Sequence, residues 1–140
     1  DASSYLSNYN HTQTIEFEDT GVVIIKHLSG VIGSLNYTTN SFGENMEGSL
    51  TLFSENATIK IGGKYLNEIV YFKSEKIKMP KINHIDKPNQ YGTYQGSMSN
   101  HDKVYRNLAD VIINGGNARA NMVDGMKCVE IISKIYASKK

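Results

Sequence analysis

The sequence has little of several residue types that mark specialised small proteins. Its 140 residues contain no tryptophan, two prolines and one cysteine, Cys128. A lone cysteine excludes an internal disulfide and cannot build a zinc site by itself. Its place within a helical pattern predicts a buried, unreactive thiol. Together these features predict a reduced, cytoplasmic setting.

Net charge and long apolar runs are also scarce. The formal net charge is +1, which gives no electrostatic reason to expect nucleic acid or an anionic membrane as a partner. No apolar run approaches the ~20 residues that a membrane helix needs. The opening "DASSYLSNYN" has no basic or apolar segment of a signal peptide. We expect the chain to be a piece of a longer protein.

The first half of the chain predicts β-strands. "QTIEFED" alternates, with Ile15 and Phe17 on one side of the predicted strand. "TGVVIIKHL" is a continuous β-branched run, typical of a central strand, and "VIGSLNYTT" is expected to return beside it as a hairpin. "MEGSLTLFS", "ATIKIGG" and "LNEIVYFKS" predict further strands, so the order indicates an antiparallel meander. Residues 74–100, which hold both prolines, predict a long loop.

The last forty residues predict two helices. The first begins near His101, with Ser99 or Asn100 as its cap, carries an apolar stripe, and ends at Gly115 and Gly116. The second is expected from about Asn121 to Ala137. The stripe of the first helix consists of Val104, Leu108, Val111 and Ile112; that of the second includes Met122, Met126, Val129, Ile132 and Tyr136.

These elements predict one α+β domain over residues 1–140. Its architecture is expected to be an open, mostly antiparallel sheet of about six strands, with the two C-terminal helices packed on one face. Val22 and Ile24 alternate with Val23 and Ile25, so both faces of this sheet should be apolar. The uncovered face therefore predicts self-association with another copy of the chain.

Signatures of catalysis are absent from the sequence. There is no GxGxxG, Walker loop, HExxH or GxSxG, and the histidines are scattered, so neither a cofactor site nor a metal site is predicted. His27 is interpreted as a hydrogen-bonded histidine of the sheet. Glu16, Glu18 and Asp19 cluster in "EFEDTG"; acid–base work is one reading, and solvated charges beside a turn are favoured.

The order of these segments resembles the C-terminal domain of the Gfo/Idh/MocA oxidoreductases, the relatives of glucose–fructose oxidoreductase and inositol dehydrogenase. The resemblance runs from about residue 15 to 138. It rests on "EFEDTGVVIIKHLSGVIGSLNYTTN", "EGSLTLFSENATIKIGGKYLNEIVYF", "NHDKVYRNLADVIINGG" and "DGMKCVEIISKIYAS", which follow one another as in that family. The segment "IGGKYLNEIVYF" is most similar to members that act on nucleotide sugars or related sugars.

The resemblance implies a place within an enzyme. In the intact enzyme, NAD or NADP would bind a preceding Rossmann domain that also supplies the catalytic lysine and histidine, and no catalytic, cofactor-binding or metal-binding residue is expected on this chain. His101 matches the histidine that opens the family's first C-terminal helix. With Tyr105 one turn further on, it would bind a sugar-type substrate in one interpretation. A role of His101 only in the cap of the helix is the alternative, and it is the favoured one.

Three functions therefore compete. The leading hypothesis is the substrate-side and oligomerisation domain of an NAD(P)-dependent oxidoreductase acting on a sugar, nucleotide sugar or polyol. A second is a stand-alone α+β binding or assembly module without catalytic activity. A third is a small sugar-isomerising or cyclase-like enzyme that uses His101 and a carboxylate.

Overall fold

The chain forms an α+β fold, as the sequence predicts. The computed structural model describes residues 1–82, 87–93 and 95–140. Within these ranges there are eight strands in three antiparallel sheets, and two helices. The chain divides into two compact units: unit 1 comprises Asp1–Gly43 and Arg119–Lys140, and unit 2 comprises Glu44–Ala118. The prediction of one domain over residues 1–140 stays a prediction.

The first three strands and the last helix belong to unit 1, and the elements between them belong to unit 2. Unit 1 holds the sheet β1-β2-β3 and helix α2; unit 2 holds the sheets β4-β5-β6 and β7-β8 and helix α1. Their bounds are β1 Ala2–Ser7, β2 Thr20–Lys26, β3 Ile32–Thr38, β4 Leu50–Ser54, β5 Ala57–Gly62, β6 Glu68–Ser74, β7 Pro88–Gln90, β8 Gln95–Met98, α1 His101–Asn114 and α2 Met122–Ala137.

The central strand of unit 1 is β2, in agreement with its β-branched sequence. Its side chains alternate: Gly21 and Val23 are buried, whereas Val22 and Ile24 on the opposite face are exposed. Val23 pairs with Ser4 of β1 on one side and with Leu35 of β3 on the other. One face of the sheet therefore carries the core of this unit and the other is open.

Helix α2 lies against β1 in unit 1. Its N-terminus carries a capping box, in which Asn121 accepts hydrogen bonds from Val123 N and Asp124 N. At the other end, Ser4 Oγ donates to Ile135 O at 2.8 Å. A buried hydroxyl on β1 thus fixes the last turn of the helix to the covered face of the sheet.

The C-terminal residues lie along the outer edge of β1. Ser4 and Lys139 form an isolated parallel bridge, and Lys140 N donates to Ser4 O at 3.1 Å. The ammonium of Lys140 lies 5.5 Å from the centre of the Tyr5 ring. These contacts occupy part of the main-chain edge that β1 would otherwise expose.

Several predicted boundaries in the first half are wrong. "QTIEFED" is not a strand, because the side chain of Asn8 donates to the carbonyl groups of Ile15 and Phe17 and replaces strand pairing there. Residues 2–7, for which no strand was predicted, form β1. The expected long loop contains the short strands β7 and β8, so the described strands number eight in three sheets and not about six in one.

The predicted helices exist, but their packing differs from the prediction. In α1, Val104, Leu108 and Ile112 are each more than half exposed, so this stripe is not covered as expected. Asn100 precedes α1 without a side-chain cap; its Oδ1 instead accepts from Lys103 Nζ at 2.7 Å. Gly115 ends α1 in the left-handed conformation, with φ of 66°, as predicted. The two apolar stripes that were expected to pack on a sheet are mostly exposed, and in α2 the exposed members are Met122, Met126, Val129, Ile132 and Tyr136.

Two single-residue predictions are wrong, and one is confirmed. Cys128 is exposed on α2, because its helical face does not pack against the sheet. His27 follows β2 and is exposed, so it is not a side chain within the sheet. Gly63, with φ of 88°, lies in a turn between β5 and β6, as expected for "IGGK". His84 lies outside the described residues. Among the residues that are described, neither helix combines the length and apolarity needed to cross a bilayer.

Glycine at position 21 is required by the ring of Tyr37. A Cβ built on Gly21 would overlap that ring, whereas one on Gly33 of the same sheet would meet no atom within 4 Å. We expect Gly21→Ala to lower the free energy of unfolding by roughly 1–3 kcal/mol through overpacking. Gly33→Ala should change it little. Urea denaturation of both variants measures the difference, and equal midpoints would contradict the assignment.

Candidate functional site

The most extensive polar cluster of unit 1 surrounds a buried carboxylate, Asp19, which has no exposed surface. Its Oδ2 accepts from Asn10 N at 2.9 Å and from Tyr9 N at 3.1 Å. The ring of His11 contacts the same oxygen through Nδ1, also at 3.1 Å. Because an ionised carboxylate can only accept, Nδ1 of His11 is the donor.

The backbone of Asp19 holds the ends of two strands. Asp19 N donates to Ser7 O at 3.1 Å, and Thr39 N donates to Asp19 O at 2.8 Å. Ser7 is the last residue of β1, and Thr39 follows β3. Side chain and main chain of Asp19 therefore join the loop at residues 8–11 to one end of the sheet.

Hydrogen bonds decide the ionisation of Asp19. Burial alone raises the pKa of its carboxyl. The backbone N–H groups of Asn10 and Tyr9 outweigh burial and hold this pKa well below its usual range, and the side chains of Asn40 and His11 act in the same direction. Asp19 is thus a permanent buried anion at neutral pH, stabilised by donors that surround it.

A second carboxylate, Glu18, joins β3 to α2. Its Oε1 accepts from the Tyr37 hydroxyl and from the Tyr136 hydroxyl, each at 2.7 Å. Burial raises the pKa of Glu18, but these two phenols, with a contribution from the charge of Lys139, lower it overall. In return, burial and the Glu18 carboxylate raise the pKa of Tyr37, and the same carboxylate raises that of Tyr136.

The favoured reading of "EFEDTG" as solvated charges is therefore wrong for two of its three carboxylates. Asp19 is fully buried and Glu18 is half-buried, whereas Glu16 is exposed. Sequence spacing could not show this, because the donors come from loop, strand and helix segments distant along the chain. One signal in the sequence could have indicated this cluster. Glu18 and Asp19 come directly before the central strand β2, at the end of the sheet where the neighbouring strands also end.

The residues predicted to bind substrate lie elsewhere, in unit 2. His101 and Tyr105 occupy the first two turns of α1, one turn apart, and both are exposed. Asp102 in the same turn pairs with Arg106 at 3.2 Å. No ligand is needed to explain this geometry, and nothing in it tests the substrate-binding role, which stays a prediction.

Sites for a metal or a nicotinamide cofactor are not evident here. Within residues 1–82, 87–93 and 95–140, no group of three His, Cys, Asp or Glu side chains could hold a metal ion. The whole sequence lacks the glycine-rich turn that positions a dinucleotide pyrophosphate at a helix N-terminus. That no cofactor binds these residues stays a prediction.

Comparison of the fold with solved structures finds dehydrogenases. The WlbA dehydrogenase of Bordetella pertussis, solved with NADH and UDP-GlcNAcA, superposes on 98% of this chain with a TM-score of 0.74 at 23% identity. The WlbA dehydrogenase of Chromobacterium violaceum, solved with the same two molecules, gives a TM-score of 0.70 at 26% identity over 98% of this chain. A Thermotoga maritima protein described as an oxidoreductase gives 0.67 at 13% identity, also over 98%.

These likenesses show the fold of the chain. The fold is one found in dehydrogenases. More particularly, it is that of the C-terminal domain of the Gfo/Idh/MocA oxidoreductases, which confirms the resemblance seen in the sequence. The match covers 35%, 36% and 37% of those three chains, so this chain spans about a third of their length. Neither a protein-family profile nor a curated protein sequence matches the chain.

The two carboxylates should make unit 1 sensitive to acid. A pKa lowered by folding stabilises the folded state above the ordinary carboxyl range of about 4, and this stabilisation is lost as pH falls through the lowered pKa. We therefore expect the free energy of unfolding to decrease from about pH 5 to about pH 2. Glu18→Gln should flatten this decrease, measured by denaturation at each pH.

The matched control is Glu16→Gln, which alters an exposed carboxylate two residues away. It should leave the pH dependence as in the wild type. If Glu18→Gln and Glu16→Gln show the same slope as the unmodified chain, the assignment of Glu18 is wrong.

Proposed function

We propose that this chain is the substrate-side and oligomerisation domain of an NAD(P)-dependent oxidoreductase that acts on a sugar, most specifically a nucleotide sugar. The observation that carries the proposal is the match of nearly the whole chain to two dehydrogenases solved with NADH and UDP-GlcNAcA. Its reaction class would be hydride transfer between a sugar carbon and the nicotinamide. Since the chain spans about a third of those proteins, the complete activity belongs to a longer polypeptide.

Cofactor binding and substrate binding are assigned to different parts of the full-length protein. The missing glycine-rich turn supports cofactor binding, to NAD or NADP, outside the 140 residues. His101 and Tyr105, exposed on one side of the first turns of α1, are proposed to contact the sugar substrate. An imidazole and a phenol both form hydrogen bonds with hydroxyl groups. The cytoplasmic location, expected from the single cysteine, stays a prediction.

The full-length protein tests this function directly. With NAD⁺ and UDP-GlcNAcA, we expect reduced nicotinamide to form, followed by its absorbance. His101→Ala should raise KM for the sugar about tenfold, the equivalent of one hydrogen bond of about 1.4 kcal/mol, with little change in kcat. Asn114→Ala, at the far end of α1, is the control.

Two results would contradict parts of the proposal. An unchanged KM in His101→Ala would restrict His101 to the start of the helix. A full-length protein that binds neither nicotinamide nor nucleotide sugar would favour the stand-alone binding or assembly module instead.

The open face of the unit 1 sheet supports the proposed self-association. Tyr5, Val22 and Ile24 are 62%, 47% and 54% exposed. Tyr5 and Val22 are paired on neighbouring strands, and Ile24 follows Val22 two residues further along the same face of β2. Ile32 at the start of β3 is 68% exposed. Apolar side chains gathered on one sheet face favour burial against a partner surface, and a second copy offers the same surface.

A charge on this face should disrupt the assembly. We expect the full-length protein to be a dimer or larger at micromolar concentration, and Ile24→Lys to shift it toward the monomer, measured by light scattering. Leu28→Lys places the same charge at a fully exposed turn residue and should leave the mass unchanged. A strictly monomeric wild-type protein would overturn the oligomerisation role.

A further inference from the structure

We propose that the turn between β5 and β6, residues 63–67, binds the ribose of a nucleotide sugar together with the first residue of β6. Asn67 Oδ1 and the Glu68 carboxylate would each accept a hydrogen bond from one of the two neighbouring ribose hydroxyl groups. The inference rests on the proposed function and adds to it a second part of the substrate that unit 2 contacts. It is argued from an acceptor without a donor, a strained backbone and the local charge.

Asn67 carries a buried acceptor that has no donor. Its Oδ1 has no hydrogen-bond partner in the part of the chain that the structure describes. Buried polar atoms are nearly always hydrogen-bonded, because an unpaired one costs free energy. The oxygen lies against Gly63, in the space that a Cβ would take if position 63 had one. A hydroxyl donor from a ligand would supply the missing bond once the carboxamide turns toward it, so binding and rotation of Asn67 favour each other.

The backbone of the same turn is strained. Leu66 has φ of 57° and is, among the described residues, the one with a side chain that adopts a positive φ. The left-handed conformation is unfavourable for such a residue. It is held by two hydrogen bonds, from Asn45 Nδ2 to Lys64 O at 3.1 Å and from Gly48 N to Gly63 O at 2.9 Å. Strain of this kind is concentrated at functional sites, so it supports a binding role of the turn.

A second oxygen acceptor lies beside the first. Glu68 begins β6 and is exposed, and its Oε1 lies 3.3 Å from the position that a Cβ on Gly63 would take. Asn67 Oδ1 overlaps that same position, so the two oxygens are neighbours. Each hydroxyl group donates one hydrogen. Two neighbouring acceptors therefore suit two hydroxyl groups on adjacent carbon atoms, which is the arrangement that a ribose presents.

The charge at the turn favours a neutral group of the substrate. The cation of the turn, Lys64, is paired with Glu44, and Glu68 adds a further negative charge. Its carboxylate would repel the diphosphate of a nucleotide sugar, and it would equally repel the acid group on the sugar of UDP-GlcNAcA. Hydroxyl groups, in contrast, form strong hydrogen bonds with a carboxylate. The uncharged ribose is therefore the part of such a substrate that suits this turn.

A short path along the chain connects the turn to the residues proposed to contact the sugar, and both belong to unit 2. Tyr65 of the turn donates its hydroxyl to Gln95 O at 3.4 Å. Gln95 begins β8, and His101 at the start of α1 follows six residues later. Six residues span at most about 20 Å. The sugar and the ribose of one substrate, which are separated by the diphosphate, would thus meet two neighbouring regions of the same unit.

Binding of UDP and of 2′-deoxy-UDP to the full-length protein tests the inference. We expect the wild type to bind UDP about tenfold more tightly by calorimetry, because 2′-deoxy-UDP lacks one of the two hydroxyl groups. In the double variant Asn67→Ala, Glu68→Ala the two nucleotides should bind with equal affinity. The matched control is Glu55→Ala, Asn56→Ala, which makes the same chemical change in the turn between β4 and β5, at the opposite end of the sheet. It should keep the tenfold preference.

The single variant Asn67→Ala separates a binding role of this residue from a structural one. Because Oδ1 has no partner, its removal should leave the unfolding midpoint unchanged, while the affinity for UDP falls about tenfold. A lowered midpoint with wild-type affinity for UDP would mean that Asn67 only supports the turn, and it would overturn the proposal.

Three further results would decide against a ribose site. A wild-type protein that binds UDP-GlcNAcA but does not prefer UDP to 2′-deoxy-UDP overturns the ribose site and leaves the proposed function intact. A preference retained in the double variant does the same. Weaker binding of UDP-GlcNAcA by the double variant, with unchanged binding of UDP, would place the hexose at the turn instead. If the wild type binds none of the three nucleotides, the proposed function fails first and the ribose site with it.

Discussion

The arrangement of unit 1 depends on a carboxylate that is removed from water and kept ionised. An isolated buried charge is strongly unfavourable, and Asp19 persists only because several donors reach it together. That requirement fixes the loop at residues 8–11, and the main chain of Asp19 fixes the ends of β1 and β3. Few apolar side chains are fully buried in the described residues, with Leu6 and Val23 as the core, so this polar cluster has a large share in defining the unit.

Sequence patterns predict the regular elements well where the signal is local. The β-branched run of β2 and the glycine that ends α1 each act through neighbouring residues, and both occur as predicted. The second helix begins beside Asn121, where it was expected, although the capping role of Asn121 was not predicted. The segment before β2 was misassigned because alternation of Ile15 and Phe17 imitates a strand. There the side chain of Asn8 takes the backbone partners that a strand would need.

The sequence predicts less of the candidate site than of the helices and strands. Hydrogen bonds join Glu18 to Tyr37 and Tyr136, which are 19 and 118 residues away, and no spacing rule links such positions. The family resemblance directed attention to His101, whose exposed place at the start of α1 agrees with either a ligand contact or a simple helix start. Long-range convergence of polar groups, and not the residue types themselves, distinguishes the cluster around Asp19.

The last two residues of the chain affect how the edge of β1 can contact another molecule. Lys139 and Lys140 pair with Ser4 along the edge of β1, and the ammonium of Lys140 lies beside Tyr5 of that strand. Unpaired rims are where sheets of separate molecules fuse into continuous, fibre-like ladders, and positive charge with a docked tail discourages that fusion. The β1 edge of this sheet is therefore less open to pairing with a strand of another molecule.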